Sequence, residues 1–179
     1  MSDYSAIFQL VSNLMRKEHV FCILIGGFAV NFYKVSRNTA DVDFLITKED
    51  FYKILEFLVK NGFEQLSSHE NFAHFKNTGI GLTGIDFMFV DKETFIKIER
   101  EGQKLKIGKN EFIVPSLSHL IALKLHSMKS NFKDRFGKDF PDIIALIRTN
   151  HLNVNDDQFK QLCLKFGSQE IYQKIMEAM

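Results

Sequence analysis

The spacing of apolar positions differs on the two sides of Pro115, mixing helix and strand periods before it and keeping helix periods alone after it. Ile7, Leu10, Val11 and Leu14 fall three and four apart, which predicts an amphipathic helix over residues 3 to 18. Val20 to Ile25 is an unbroken apolar run, the mark of a buried strand. Gly26-Gly27 closes it as a turn, and Phe28 to Tyr33 open a helix. Asp41 and Asp43 stand two apart on a short strand. Thr47 then caps a helix that runs to Lys60, with Asp50 as its capping-box partner, and Asn61-Gly62 stops it. Phe63 to Asn77 predicts one or two strands, clearest at Phe72 to Phe75. Thr78 to Gly84 holds three glycines and predicts a turn or bulge before a strand over Ile85 to Val90. Asp91 caps a short helix over residues 92 to 101, and Lys104 to Ile107 pairs with Glu111 to Val114 across Gly108-Lys109-Asn110 as a hairpin.

Beyond Pro115, helices are expected over Leu117–Ser130, Phe140–Asn150, Asp156–Phe166 and Ser168–Ala178, the first capped by Ser116 or Ser118. The expected fold class is therefore α/β (α+β), a mixed sheet flanked by helices and followed by a helical part. Residues 1–115 form the first domain, and residues 116–179 form a helical subdomain packed against it. No Gly/Ser linker separates them, so a cleft between the two is the expected ligand site.

Composition narrows the classes. Hydrophobic residues make up 45% of the chain, enough for a core, and 19 phenylalanines make that core aromatic. A net charge of +1 gives no global field to draw in nucleic acid. Cys22 and Cys163 lie in apolar surroundings and read as reduced core residues. No basic leader precedes an apolar stretch, and no run approaches ~18 apolar residues, so a cytoplasmic protein without membrane contact is expected.

The chemistry concentrates at two glycines and three acids. Glycine lets backbone approach a ligand, and a helix start offers unpaired N–H groups to an anion such as a phosphate. Asp41 and Asp43, two apart on a strand, point to one face, where they repel unless a cation or a proton intervenes. Asp86 is a third acid set in an apolar strand, where burial alone is costly. If its strand lies beside that of Asp43, three hard oxygen donors converge, a set suited to Mg²⁺ or Mn²⁺.

In order and spacing, Gly26-Gly27, Asp41-x-Asp43 and Asp86 resemble the nucleotidyltransferase superfamily related to DNA polymerase β. The Arg37-x-Thr39-x-Asp41-x-Asp43 spelling is similar to the minimal branch that includes the AbiEii-type toxins of type IV toxin–antitoxin systems, and to small antibiotic nucleotidyltransferases. Lys124, Lys138, Asp139 and Asp142 match a second block of the toxin-like branch, and the likeness covers residues 20 to 150. One departure is glycine at position 27, where many members carry serine. The resemblance implies transfer of a nucleoside monophosphate from an NTP to an acceptor hydroxyl of RNA or tRNA, a small molecule or a protein, with a cognate antitoxin as a further partner. It implies Asp41, Asp43 and Asp86 as catalytic and metal-holding residues, and Gly26, Gly27, Arg37, Lys124, Lys138 and Asp142 as nucleotide-binding ones.

Each signal has a plainer reading. Arg37 is equally a solvated loop arginine, Thr39 a loop turn, and Lys124 a lysine reaching out from mid-helix to water. The charges from Lys133 to Asp142 read as a solvated face, within which Lys138 and Asp142, four apart, can pair; these two are favoured for the site over Asp139. His69, His74, His119 and His126 make no zinc pattern with the cysteines and read as structural or solvated. Rival functions are a non-catalytic nucleotide-binding regulatory module of the same fold and, more weakly, a metal-dependent nuclease.

Overall fold

The computed structural model describes residues 3–77 and 84–179. The chain divides into two compact units, Met1–Ala29 with Asn38–Pro115, and Val30–Arg37 with Ser116–Met179.

The first unit is built on a seven-stranded mixed sheet. Its strands are β1 (Ile23–Leu24), β2 (Val42–Thr47), β3 (Phe63–Ser68), β4 (Phe72–Asn77), β5 (Gly84–Val90), β6 (Gln103–Ile107) and β7 (Asn110–Val114), in the order β3-β4-β5-β2-β1-β7-β6. β2 runs parallel to β5 and β1 parallel to β7, while the other pairs are antiparallel. Alternation divides the central strands into two faces. Phe44, Phe75, Phe87 and Phe112 share the buried face and interlock ring against ring. Helix α1 (Asp3–Glu18) brings Phe8 onto Phe112, and α3 (Lys48–Lys60) brings Phe51 onto Phe75, Phe87 and Phe89. This face takes up part of the phenylalanine excess as core, while Phe21, Phe72 and Phe132 are exposed.

Turn chemistry sets the element ends. Thr47 caps α3 by accepting from the Asp50 amide at 3.1 Å, while the Asp50 carboxylate pairs with Lys53 at 2.6 Å. Gly62, with φ of +80°, follows the helix end. Asp91 caps α4 (Lys92–Arg100), and the Thr94 hydroxyl and amide that donate to its carboxylate hold it below the ordinary aspartate pKa. The sheet's margins differ in kind: β3 carries a register shift between Gln65 and Ser67, and β6 carries Lys104 and Lys106.

Two expectations are corrected. The strand expected over Val20 to Ile25 is a two-residue ladder, because only Ile23 and Leu24 pair with neighbours before the chain turns. The glycines do not precede the helix: α2 (Gly26–Phe32) starts on them, with Gly26 at φ of +60°. The turn expected from Thr78 lies outside the described residues up to position 83.

The second unit holds four helices, α5 (Leu117–Ser130), α6 (Phe132–Thr149), α7 (Asp157–Phe166) and α8 (Gln169–Ala178). Ser116, not Ser118, caps α5 through the His119 amide. Helix α6 starts eight residues before the expected Phe140. Asn131 caps it through the Asp134 amide, and Phe132, Phe136 and Phe140 stack four apart along one side. Pro141 does not break this helix; it removes one N–H, the partner of the Gly137 carbonyl four residues back.

Both cysteines are free and buried. Burial pushes the Cys163 thiol to about 12 and raises Cys22 further. Such a thiol keeps its proton where the unfolded chain loses it, so its contribution is intact below about pH 8.5 and is lost as pH rises above that. Urea titrations at pH 8 and pH 10 are therefore expected to show alkaline destabilisation that is smaller in Cys163→Ala. Neither thiol should react with Ellman's reagent before unfolding.

Candidate active site

Register, more than sequence distance, assembles the acids of the first unit. Asp43 on β2 lies directly opposite Asp86 on β5, and Asp86 lies directly opposite His74 on β4. Opposed residues share a face, so His74, Asp86 and Asp43 form a row across three strands. All three are partly exposed, whereas their neighbours along the strands, Ala73, Phe75, Val42, Phe44, Ile85 and Phe87, are buried. The sheet thus keeps its acids on the face opposite the aromatic core. Adjacent strands lie about 4.8 Å apart, close enough for the Asp43 and Asp86 carboxylates to repel unless a counter-charge or donor relieves them. One donor is present, since His74 Nδ1 contacts Asp86 Oδ1.

The glycine turn reaches the same row. The Ile25 amide donates to the Asp43 carbonyl at 2.9 Å, which places Gly26 beside Asp43. A Cβ on Gly26 would come within 1.9 Å of Asp43 Oδ2, and its φ of +60° also disfavours any side chain. A Cβ on Gly27 would lie 2.6 Å from Thr39 Cβ. Thr39 is fixed there, since its hydroxyl donates to the Asp41 carbonyl at 2.9 Å and its own carbonyl accepts from the Tyr4 hydroxyl. The space that a serine at position 27 needs is thus taken by Thr39, a local reason for glycine at that position.

Asp41 precedes β2. Its Oδ1 accepts from the Gly84 amide at 3.1 Å. Among the described residues, no group of three or more His, Cys, Asp or Glu side chains is gathered to hold a metal ion. As a pair, Asp43 and Asp86 fit a hard cation: they are oxygen donors on neighbouring strands, and such ions complete their shells with water and phosphate.

The second unit gathers another set. Lys124 on α5 is buried, and its Nζ donates to Asp139 Oδ1 at 2.9 Å and Asp142 Oδ2 at 2.6 Å. Arg37 reaches the same Asp142 oxygen at 3.2 Å, and Arg135 reaches Asp139 Oδ2 at 3.0 Å. Asn31 clamps the Arg37 backbone through both its N–H and its carbonyl. Three cations thus meet two carboxylates. Lys124 does not reach out to water, because two buried acids hold it. Asp139, less favoured than Lys138 from the sequence, is in the network, whereas Lys138 is exposed and Asp142 pairs with Lys124 and Arg37 in its place. His74 was also read as structural or solvated. Its signal was the strand alternation at Phe72 to Phe75, which needed the β4–β5 register to become informative. A groove along α1 and α3, lined by Ser5, Gln9, Asn13, Phe57 and Asn61, has no titratable lining.

The first unit thus presents a strand–glycine–helix unit with paired acids on adjacent parallel strands. A family model described as "uncharacterised nucleotidyltransferase" matches residues 4–178, and the chain belongs to that family. No curated protein sequence matches it significantly. Among solved structures, ANT(2")-Ia in complex with adenylyl-2"-tobramycin is similar at 12% identity, over 93% of this chain and 97% of that one, with a TM-score of 0.65. An antigenic nucleotidyltransferase-like protein from Paracoccidioides brasiliensis is similar at 18% identity over 97% and 90%, with a TM-score of 0.57. The lincosamide antibiotic adenylyltransferase LnuA, lincomycin-bound, is similar at 13% identity over 76% and 91%, with a TM-score of 0.52. At these identities the likeness is one of fold. No helix among the described residues is long and apolar enough to cross a membrane.

Removing the cation from a buried network leaves carboxylates uncompensated. Lys124→Met is expected to cost roughly 3 kcal/mol in urea unfolding, the lower end for a broken buried pair, because Arg37 and Arg135 still reach the two acids. Adding Asp142→Asn should recover part of that loss.

Proposed function

We propose that this chain transfers a nucleoside monophosphate from an NTP to an acceptor hydroxyl and releases pyrophosphate. The observation that carries this reading is the Asp43–Asp86 register pair beside the Gly26 bend. The acceptor oxygen attacks the α-phosphorus, and the bond to the oxygen bridging to the β-phosphate breaks. Asp86 takes the hydroxyl proton, as a carboxylate within hydrogen-bond reach can. The first amides of α2, at Gly26 and Gly27, have no partner within the helix and suit the β- and γ-phosphates. Mg²⁺ or Mn²⁺, held by Asp43 and Asp86 with Asp41, would neutralise the triphosphate and polarise the reacting oxygens. Arg37, a guanidinium still partly exposed, is assigned to phosphate on its chemistry alone. Lys124 and Asp142 support this arginine, and Lys138 remains a candidate phosphate cation by its resemblance.

RNA or tRNA, a small molecule and a protein side chain remain the acceptor classes. The Lys124-to-Asp142 block supports the narrower reading of an AbiEii-type toxin acting on RNA and opposed by an antitoxin. A small-molecule acceptor is supported by two proteins with this fold, one in complex with adenylyl-2"-tobramycin and the other lincomycin-bound. A second reading, a non-catalytic nucleotide-binding regulatory module, is favoured by the commitment of Asp41 to the Gly84 amide. Metal-dependent NTP binding without turnover on any acceptor supports it.

Each labelled NTP, incubated with Mg²⁺ and acceptors from the three classes, is expected to label one acceptor with the wild-type chain and none with Asp43→Ala. Equal labelling by both removes the assignment. RNA as acceptor predicts binding that weakens steeply with added salt, whereas a small neutral acceptor predicts little change.

A further inference from the structure

The row across β4, β5 and β2 contains a histidine that nucleotidyl transfer as described leaves without a role. His74 is opposite Asp86 in the antiparallel ladder, where Cβ atoms of opposed residues lie about 5 Å apart. The pairing is therefore set by backbone register before any side-chain rotamer is chosen. The imidazole uses it, with Nδ1 against Asp86 Oδ1. A carboxylate in its ionised form only accepts, so the pairing calls for the tautomer with the proton on Nδ1.

The close approach is also built into the neighbouring backbone. Gly84 opens β5, and a Cβ there would lie 3.1 Å from His74 Cε1 and 2.6 Å from Asp41 Oδ1. Glycine at that position leaves room for the histidine and the first aspartate to crowd the head of the strand. The Gly84 amide is itself the donor to Asp41. Asp86 thus stands between two neighbours of opposite kind, a donor ring on β4 and a like-charged carboxylate on β2.

We propose that His74 is a positioning residue for Asp86: its Nδ1–H fixes one carboxylate oxygen and so sets the orientation in which Asp86 meets the acceptor hydroxyl. This rests on the nucleotidyl-transfer reading for its consequence but not for its geometry. Holding one oxygen from the β4 side restricts rotation of a short side chain with two torsions. It also offsets part of the repulsion from Asp43 through a charge-assisted hydrogen bond. The role belongs to Nδ1, which makes it separable by substitution. Asparagine places an amide N–H close to the position of Nδ1, whereas glutamine places one close to that of Nε2.

The experiment compares full-length wild type with His74→Asn, His74→Gln and His74→Ala. Loss of a partner that orients a working carboxylate costs about 10- to 100-fold in activity. His74→Ala and His74→Gln are expected to lose kcat by about that factor, with KM for the NTP within about twofold. His74→Asn should retain most of kcat. Thermal unfolding of all four checks that the loss is not one of folding. An unchanged kcat in His74→Ala, or a His74→Asn variant as slow as His74→Ala, overturns the inference. Nitrogen NMR of the ring is read in parallel in wild type and Asp86→Ala. A Nδ1-protonated tautomer in wild type that is lost in Asp86→Ala is expected, and identical ring shifts in both overturn the inference. If wild type transfers no more label than Asp43→Ala, the transfer reading fails, and the NMR comparison still decides the His74–Asp86 pairing.

Discussion

Two carboxylates on neighbouring parallel strands are a constraint that the first unit must answer. Asp43 and Asp86 are fixed side by side by register, and no choice of rotamer separates them by more than a few ångströms. Around them, each local feature that would otherwise look arbitrary has a cause. Gly26 lacks a side chain because Asp43 fills the space, and Gly84 lacks one because Asp41 and His74 do. The acids occupy one face of β2 and β5, and the phenylalanine core occupies the other. A strand can hold both because its side chains alternate. The fold therefore separates a dry layer that supplies stability from a polar row available for chemistry.

The second unit answers a related problem differently. There Lys124, Asp139 and Asp142 are buried and paired within the unit, with Lys124 held by two acids and each acid also held by an arginine. Such a network is costly to desolvate, and its worth lies in directing groups more than in stabilising them. Arg37 gains most from this. Its backbone is clamped by Asn31 and its guanidinium by Asp142, so a loop arginine is held in one place. Under the proposed assignment of Arg37 to phosphate, that pre-organisation would lower the entropy lost on binding.

Much of this was legible in the sequence, for reasons that lie in particular residues. Thr47, Asp91 and Ser116 announce their helices, since a cap acts within four residues of itself. The acids at 41, 43 and 86 stood out because polar residues interrupt apolar runs. What the sequence hid depends on contacts between distant segments. The pairing of His74 with Asp86 needs the register of β4 on β5, which alternation alone does not give. The start of α6 was missed because the charges from Lys133 to Asp142 read as a solvated face, whereas the Asn131 cap and the stacked phenylalanines begin the helix at Phe132. The short β1 has the same origin: a buried apolar run looks like strand along its whole length, but only two residues find ladder partners.

The two outer strands of the sheet have a consequence for the protein in bulk. An unpaired strand margin is a template on which a second molecule can add its own backbone. Here one margin, β3, is broken by a shifted register, and the other, β6, carries two lysines that a docking strand would have to bring close to its own charges. Neither border offers a long, flat, uncharged run, the kind of rim from which fibrous growth spreads.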